Sequence, residues 1–547
     1  MIEILFFGFL ATYFYTPYGY IIQKGNNIRS FSLQLIFAVI ILTFFALIIN
    51  FFSPISELVS SFFILFGIFI IIKHRNIFLK KKYIIFCFLS SIIIFLLITS
   101  SNVYRPDAGL YHLPFISILN NEKIIFGLSN LHFRYGHTSV LQYTSAIFNN
   151  IIFTERGISF PSSLIAVSVI LNFLSNLNLK VKKNKIDLHF FILFSFIVFI
   201  FYKMNRYSEY GNDAPTHLLM FLLISEIIKN FKTANNNNLS NYLLLSFFII
   251  MNKIILLLSL FFPLTLLLNK NVKIIIYNVK NVFIILFIIL WIIKNIIVSG
   301  CILYPVKISC LDNLKWTNLI EVEKVSIENE AWAKGWPDFR KVNKDINQKE
   351  YSKNFNWVMT WTENHFIKII KIIAPYLIFL ILIIFFIKNK KDKIYIEKYV
   401  KYLLFISAIG TILWIYKVPV FRYGYSYLII LISLSYTYIL SHYKYKKNIT
   451  KFFKISIVIL LSVFILKNLN RIIFENTKYY DYPWPKIYSM NRDNKPVVHN
   501  FKTINGKKIY YTKNDYCMYG ISPCGISIEG LKLEKILNYY LIYRSKN

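Results

Sequence analysis

The sequence predicts an all-α polytopic membrane protein of about 12 to 14 transmembrane helices, followed by a small α+β domain at the carboxyl end. Apolar residues make up 56% of the 547 residues, charged residues make up only 16%, and the mean hydropathy is +0.52. Soluble domains carry about 25% charged residues, so this composition excludes a soluble enzyme. The long, dense apolar runs exclude a disordered chain.

The predicted helices follow from apolar runs, because a membrane span needs about 20 mainly apolar residues. The run over 241–268 is too long for one ordinary span and is interrupted by Asn252 and Lys253. We therefore expect two short spans or a broken hairpin there. The other predicted spans lie near residues 2–22, 31–53, 57–73, 83–99, 157–176, 188–203, 214–228, 282–299, 366–388, 401–417, 423–441 and 454–467.

The net charge of +36 comes from 62 Lys and Arg residues against 26 Asp and Glu residues. Basic clusters flank the spans, and a hairpin at 241–268 places all of them on one side of the membrane. The positive-inside rule makes that side cytoplasmic, which explains the basic residues without a nucleic-acid partner. The clusters lie near residues 73–82, 180–185, 229–232, 270–280, 388–393 and 444–451.

This topology divides the chain into three parts. Residues 1–82 are predicted to form amino-terminal transmembrane helices, and 83–467 a transmembrane core. Two large loops of the core, 100–156 and 300–365, then face the outer side. The polar, Tyr-rich stretch 468–547 lacks a span and is predicted to form the small outer domain.

Cysteine positions agree with this topology. Four of the five cysteines form two close pairs, Cys301 with Cys310 and Cys517 with Cys524, and both pairs fall on the predicted outer side. An oxidising outer compartment permits disulfides there. In the outer domain, residues 496–512 alternate around a central Asn-Gly, which predicts a hairpin stapled nearby by the second pair.

Polar residues with chemical potential gather in the loop 100–156. Asp107 directly follows a span, where partial desolvation favours a general base, or a ligand for a divalent cation that faces a phosphate. The alternative is an N-cap of the helix that follows it. No HExxH spacing occurs, so no metal site is assigned. The other candidates in this loop, as contacts for an acceptor or a phosphate, are Arg105, His112, His132, Arg134 and His137.

Three further charged residues lie at the predicted outer ends of spans. Asp213 begins a span, and an N-cap is the favoured interpretation there, with substrate binding as the alternative. Lys253 interrupts an apolar run, and a charge at that depth needs a partner such as a lipid-linked phosphate unless it snorkels. Arg422 suits a bidentate diphosphate clamp or an interfacial anchor. The tryptophans of the loop 300–365 suit sugar stacking or an interfacial belt.

Two resemblances follow from these residues. The stretch RPDAGLYHLP…GLSNLHFRYGHTS resembles the signature of a family of bacterial inner-membrane proteins, and SGCILYPVKISC and YCMYGISPC resemble its later parts. More distantly, the layout resembles the GT-C superfamily of polyprenyl-phosphate-dependent glycosyltransferases. In those enzymes an acid in the first large outer loop acts as catalytic base or helps to bind metal, and Asp107 matches that position. The paired acidic motif of many members is absent, which argues against metal dependence. The cofactor is therefore left unassigned, with a divalent cation as the one candidate.

The resemblance implies a glycosyltransferase of the bacterial inner membrane that moves a sugar from a polyprenyl-phosphate carrier to an envelope glycan or lipid on the periplasmic face. Asp107 is then the base, while Lys253, Arg134 and Arg422 neutralise the carrier phosphate. A surface-polysaccharide polymerase or ligase, with a diphosphate-linked donor, remains an alternative. A membrane transporter is a third, favoured only by the broken segment, since no internal symmetry is visible. The expected partners are the bilayer, the carrier-linked sugar and the acceptor, with no nucleic acid.

Overall fold

The computed structural model describes residues 2–99, 107–137, 139–204, 210–275, 277–336, 338, 346–391, 398–441, 443–445, 449–474, 495–513, 516–526 and 528–544. Long helices form the body of this part of the chain. In chain order they are α1 Ile2–Tyr15, α2 Ile28–Phe52, α3 Glu57–Lys73, α4 Lys81–Ile98, α5 Phe160–Lys182, α6 Leu188–Lys203, α7 Asp213–Asn230, α8 Asn236–Asn252, α9 Val279–Ser299, α10 Leu319–Ala333, α11 Ile367–Ile387, α12 Lys398–Lys417, α13 Phe421–Leu440 and α14 Ile449–Phe474.

Eight helical segments within the described residues are long and apolar enough to cross a membrane. They are Ile28–Phe52, Lys81–Ile98, Thr154–Lys182, Val279–Ser299, Val358–Ile387, Lys398–Lys417, Phe421–Leu440 and Ile449–Phe474. Large apolar side chains such as Phe385 and Ile459 are exposed on these helices, as lipid-facing surfaces require. The number is below the predicted 12 to 14 because several predicted spans are shorter helices: α1, α3 and α6 have 14, 17 and 16 residues.

The apolar run around Lys253 is a broken hairpin, as predicted. α8 ends at Asn252, Lys253 is extended, and the chain turns back in short 3-10 and α-helical pieces as far as Leu268. Asn269 then donates a hydrogen bond of 2.7 Å to the carbonyl of Phe231, beside the far end of α7. The return pieces are Ile254–Leu260, Phe261–Leu264 and Thr265–Leu268.

Irregular connections gather at one end of the helices, which we call the loop end. The described residues of 107–159, which we call the first connection, lie there. So do those of 300–336, which include α10. Backbone hydrogen bonds of 2.8 Å fix these connections to the helix ends, for example from Gly127 to the carbonyl of Ile297. The short elements of the first connection are Ala108–His112, Leu113–Asn121, Leu128–Asn130, Phe133–His137, Leu141–Ile147 and Thr154–Ser159.

Seven short strands complete the described structure. They are β1 Lys388–Lys391, β2 Tyr443–Tyr445, β3 Asn500–Ile504, β4 Lys507–Tyr511, β5 Cys524–Gly525, β6 Leu531–Ile536 and β7 Tyr539–Arg544. The hairpin predicted over 496–512 is confirmed, because β3 pairs antiparallel with β4. The sheet region of the predicted carboxyl-terminal domain is present in the described residues. The described residues from 495 onward contain strands and no helix, and α14 continues past the predicted boundary at 467.

The carboxyl-terminal strands pack against the loop end. Ile542 in β7 donates a backbone hydrogen bond of 2.8 Å to Phe126, and Ser117 Oγ donates to the carbonyl of Gly520 at 2.6 Å. Both predicted disulfides are present, Cys301–Cys310 after α9 and Cys517–Cys524 before β6, and both lie in this region. The remaining cysteine, Cys87, is buried in α4 and free.

We expect one reactive thiol in the oxidised protein. Maleimide labelling of denatured, non-reduced protein should modify Cys87 alone, because the other four cysteines are paired, and prior reduction should raise the count to five. Intact-mass spectrometry measures both numbers. A Cys87→Ser variant is the control and should take up no label before reduction. Labelling of three or more thiols without reduction would contradict the two pairings.

Candidate functional site

A cavity of about 680 Å³ opens at the loop end. Its wall is built from the wide turn after Asp107, the turn Phe133–His137, the amino end of α7, the break after α8 and the start of α13. Seven residues predicted from the sequence line this one cavity. They are Asp107, His112, Arg134, His137, Asp213, Lys253 and Arg422.

Four charged side chains in the cavity form one network, which we call the charge cluster: Asp107, Asp213, Lys253 and Arg422. Arg422 Nη1 donates to Asp107 Oδ2 at 3.0 Å, and Arg422 Nε lies 3.9 Å from Asp213 Oδ2. Lys253 Nζ pairs with Asp213 Oδ1 and donates to the Arg422 carbonyl at 2.7 Å. Two positive and two negative charges therefore compensate each other, as poorly hydrated surroundings require.

The cluster decides between the alternatives left open by the sequence. The Asp107 side chain accepts no capping hydrogen bond from the turn that follows it, so its N-cap role is wrong. The N-cap role favoured for Asp213 is wrong as well, because Asn212 holds the cap position and the Asp213 carboxylate faces two cations. Lys253 does not snorkel, since its side chain is only 8% exposed and reaches Asp213.

Asp107 is positioned by a wide, π-type turn over Ala108–His112. The second disulfide loop supports this turn from outside, where Met518 donates a backbone hydrogen bond of 3.0 Å to Gly109. A Cβ atom at position 109 would collide with the Met518 sulfur, so a larger residue there would force the Met518 side chain to move. The carboxyl-terminal region therefore holds the predicted catalytic turn in place.

Aromatic rings flank the cations of the cavity, and the sequence reasoning missed two of them. The Tyr423 ring centre lies 5.2 Å from the guanidinium of Arg422 and 4.9 Å from Lys253 Nζ. The Tyr111 ring lies 5.3 Å from the guanidinium of Arg134. The alternation of tyrosine with charged residues was the available signal. Trp332, from the tryptophan-rich loop, lies 5.7 Å from the Arg422 guanidinium.

Two of the predicted histidines face the cavity. His112 is buried, and its Nδ1 lies 2.6 Å from the amide nitrogen of Gln142. Burial lowers the pKa of His112 to about 4 and outweighs the opposing effect of Asp107 and Asp213, so the ring is neutral at pH 7 and accepts this hydrogen bond. His137 is exposed to the cavity, where its Nε2 lies 3.2 Å from Asn329 Nδ2.

Of the other two predicted residues of this loop, His132 does not line the cavity. His132 is buried behind the wall, and its Nδ1 accepts a hydrogen bond of 3.0 Å from the backbone N–H of Arg134. Burial lowers the pKa of His132 to about 3, which keeps the ring neutral as an acceptor. It positions the turn Phe133–His137 and has no direct access to a ligand in the cavity. Arg105 lies outside the described residues.

Asn252 is a further residue whose role only the structure reveals. Its Oδ1 accepts hydrogen bonds of 2.8 Å from both Ser139 Oγ and the backbone N–H of Leu141. These contacts tie the end of α8 to the first connection and fix Lys253 next to Asp213. In the sequence, Asn252 was visible only as a polar interruption of an apolar run.

Metal ligands are sparse around the cavity. In the part of the chain that the structure describes, no group of three or more His, Cys, Asp and Glu side chains could hold a metal ion. Asp107 and Asp213 face Arg422 and Lys253. The divalent cation suggested by the sequence therefore has no prepared ligand set among these residues.

Residues 1–429 match the family described as Domain of unknown function (DUF8201). The chain belongs to this family. The matched region contains the whole charge cluster, whereas strands β3 to β7 lie beyond it. No curated protein and no solved structure matches the chain. The function of this DUF8201 member must therefore be argued from its own cavity.

The buried pair Lys253–Asp213 should contribute strongly to stability. Lys253→Met leaves two carboxylates facing one arginine, so we expect the free energy of unfolding to fall by about 3 kcal/mol, the lower end for breaking a buried pair, because Asp213 is partly exposed. Equilibrium unfolding in mixed micelles measures this change. Adding Asp213→Asn to Lys253→Met should restore part of the loss, because the uncompensated charge is removed.

The matched control is Lys307→Met, which breaks the exposed pair with Glu323. Solvent screens exposed pairs and leaves them little net stabilisation, so this variant should unfold almost like the parent protein. Equal losses for Lys253→Met and Lys307→Met would show that the charge cluster is not energetically coupled.

Proposed function

We propose that this DUF8201 member is a GT-C-like membrane glycosyltransferase. It would move a sugar from a polyprenyl-phosphate carrier to an envelope glycan or lipid acceptor. One observation supports this proposal most: a carboxylate, Asp107, shares one cavity with Arg134, Lys253 and Arg422 beside helices apolar enough to cross a membrane. A base and several cations are the groups that sugar transfer from a phosphate needs.

In the proposed reaction, the Asp107 carboxylate accepts the proton of an acceptor hydroxyl. The hydroxyl oxygen forms the new bond to the anomeric carbon of the sugar, and the bond from that carbon to the carrier phosphate oxygen breaks. The phosphate leaves with the bonding electron pair, and Arg422 and Lys253 stabilise its charge. Arg422 holds Asp107 at 3.0 Å before substrate arrives, so the incoming phosphate would compete for the arginine and release the base.

The surroundings of Lys253 support a lipid carrier. Ile254, Leu257 and Phe261 are exposed along the return segment that begins next to Lys253, and Ile254 also lines the cavity. This apolar stripe would lie beside a polyprenyl chain whose phosphate reaches the charge cluster. A phosphate at the edge of an apolar surface is the chemistry of a lipid-linked donor.

Membrane insertion and orientation belong to the same proposal. The loop end would face the periplasm and the lysine-rich helix ends the cytoplasm, in the inner membrane of a bacterium. This orientation places both disulfides in an oxidising compartment.

Replacement of the proposed base should abolish transfer. With purified protein in lipid nanodiscs and a panel of undecaprenyl-phosphate-linked sugars, Asp107→Asn should reduce release of undecaprenyl phosphate at least 100-fold, because a general base contributes about 10² to 10⁴ in rate. Radiolabelled product formation measures it. Membrane yield should stay near that of the parent protein. The temperature of unfolding should fall only slightly, because the Asp107–Arg422 pair is partly exposed and the amide keeps the shape of the side chain.

Glu534→Gln is the matched control. Glu534 lies in strand β6, and its exposed carboxylate pairs with Lys315. This variant should transfer sugar at the parental rate. Undiminished turnover by Asp107→Asn would refute the role of Asp107 as base.

The orientation can be tested with two single cysteines in a Cys87→Ser background. Ile308→Cys lies at the loop end and Tyr277→Cys at the opposite end, and both native side chains are more than 90% exposed. A membrane-impermeant maleimide should label Ile308→Cys in intact spheroplasts and Tyr277→Cys only after lysis. The reverse pattern would invert the proposed topology.

A further inference from the structure

Four cationic side chains line the cavity, and three of them already have a carboxylate partner. Arg422 faces Asp107 and Asp213, and Lys253 faces Asp213. The third cation with a partner is Lys417, whose Nζ lies 3.6 Å from Glu330 Oε2. Arg134 has no carboxylate partner among the described residues. Glu330 is itself shared with Lys334 at 2.7 Å, whereas for Arg134 the described residues offer no carboxylate at all.

The surroundings of Arg134 hold its guanidinium ready for an external anion. The ring centres of Tyr111 and Phe133 each lie 5.3 Å from the guanidinium carbon, and both rings restrict its motion. The Nε atom is enclosed and has no hydrogen-bond partner in the described protein. A guanidinium flanked by rings binds planar oxyanions through two parallel hydrogen bonds.

Arg134 reaches the cavity from the turn Phe133–His137, which carries no member of the charge cluster. It shares the turn Phe133–His137 with His137, which contacts Asn329 of α10 and the ring of Tyr304. Polar side chains of the loop end thus surround this side. Lys253 and Arg422, in contrast, lie beside the apolar wall residues Ile254, Ile255 and Val418.

We propose that Arg134 binds an oxyanion carried by the acceptor, so that the acceptor is an acidic glycan or lipid with a carboxylate or phosphate group. That the bound molecule is the acceptor rests on the proposed transferase function. The existence of an oxyanion site at Arg134 does not depend on that function. The carrier phosphate occupies the other cations, Lys253 and Arg422, on the apolar side. Two anions are then held at two separate places in one cavity.

The test compares three probes of the same ring: methyl glucoside, methyl glucuronide and methyl glucoside 6-phosphate. Binding to the full chain in nanodiscs is measured by ligand-observed NMR titration, and undecaprenyl phosphate binding by native mass spectrometry. The parent protein should bind at least one acidic probe about tenfold more tightly than the neutral one, because a bidentate, charge-assisted contact is added. Arg134→Gln should remove this preference and change the affinity for undecaprenyl phosphate less than twofold.

Two further variants separate the explanations. Arg422→Lys should weaken undecaprenyl phosphate binding and keep the preference for the acidic probe, because a lysine ammonium lacks the planar fork of arginine. Lys417→Gln removes a wall cation that already has a partner, and it should change neither binding reaction. Thermal unfolding of each variant verifies the fold.

Two results would overturn the inference. One is a parent protein that does not prefer either acidic probe, or a preference that survives in Arg134→Gln. The other is loss of undecaprenyl phosphate binding in Arg134→Gln, which would assign Arg134 to the carrier. Both results come from binding measurements, which need no turnover. Active transfer by Asp107→Asn would instead refute the role of Asp107 as base, and it would leave the proposed oxyanion site unaffected.

Discussion

Compensation of charge at the edge of an apolar helix bundle is the constraint on which this structure depends. Lys253 is almost fully buried, and a buried ammonium without a partner would cost several kcal/mol. Asp213 supplies its partner, and Arg422 links that pair to Asp107. The four residues come from separate segments. Their ion pairs therefore connect the break after α8, the start of α7, the start of α13 and the first connection.

The same compensation shapes the proposed chemistry. A carboxylate that is held by an arginine is a weak base, and a cation that is held by a carboxylate is a weak phosphate ligand. An incoming anion that binds Arg422 in place of Asp107 frees the carboxylate to accept a proton and the arginine to bind phosphate. Substrate binding would thereby create the base, while Arg134, which has no carboxylate partner in the described residues, is available from the start.

The walls of the cavity depend on the covalent bridges and on the carboxyl-terminal strands. Cys301–Cys310 closes the segment that carries Tyr304 into the wall. Cys517–Cys524 closes the segment that places Met518 against Gly109, directly behind the turn of Asp107. The carboxyl-terminal segment thus supports the turn of Asp107 from outside the cavity, although it lies beyond the region that matches the DUF8201 family.

The sequence by itself determined the apolar helices, the broken run at Lys253, the hairpin around Asn505 and Gly506, and both disulfides, because length, periodicity and spacing are local properties. It also proposed Asp107, Lys253 and Arg422 for one outer cavity. Only the tertiary structure decided what these side chains contact. Asp213 looked like a helix cap, since a cap needs only its own helix, whereas its ion pair with Lys253 joins residues 40 positions apart. Charge pairing across a bundle depends on how helices pack, and no local pattern encodes it.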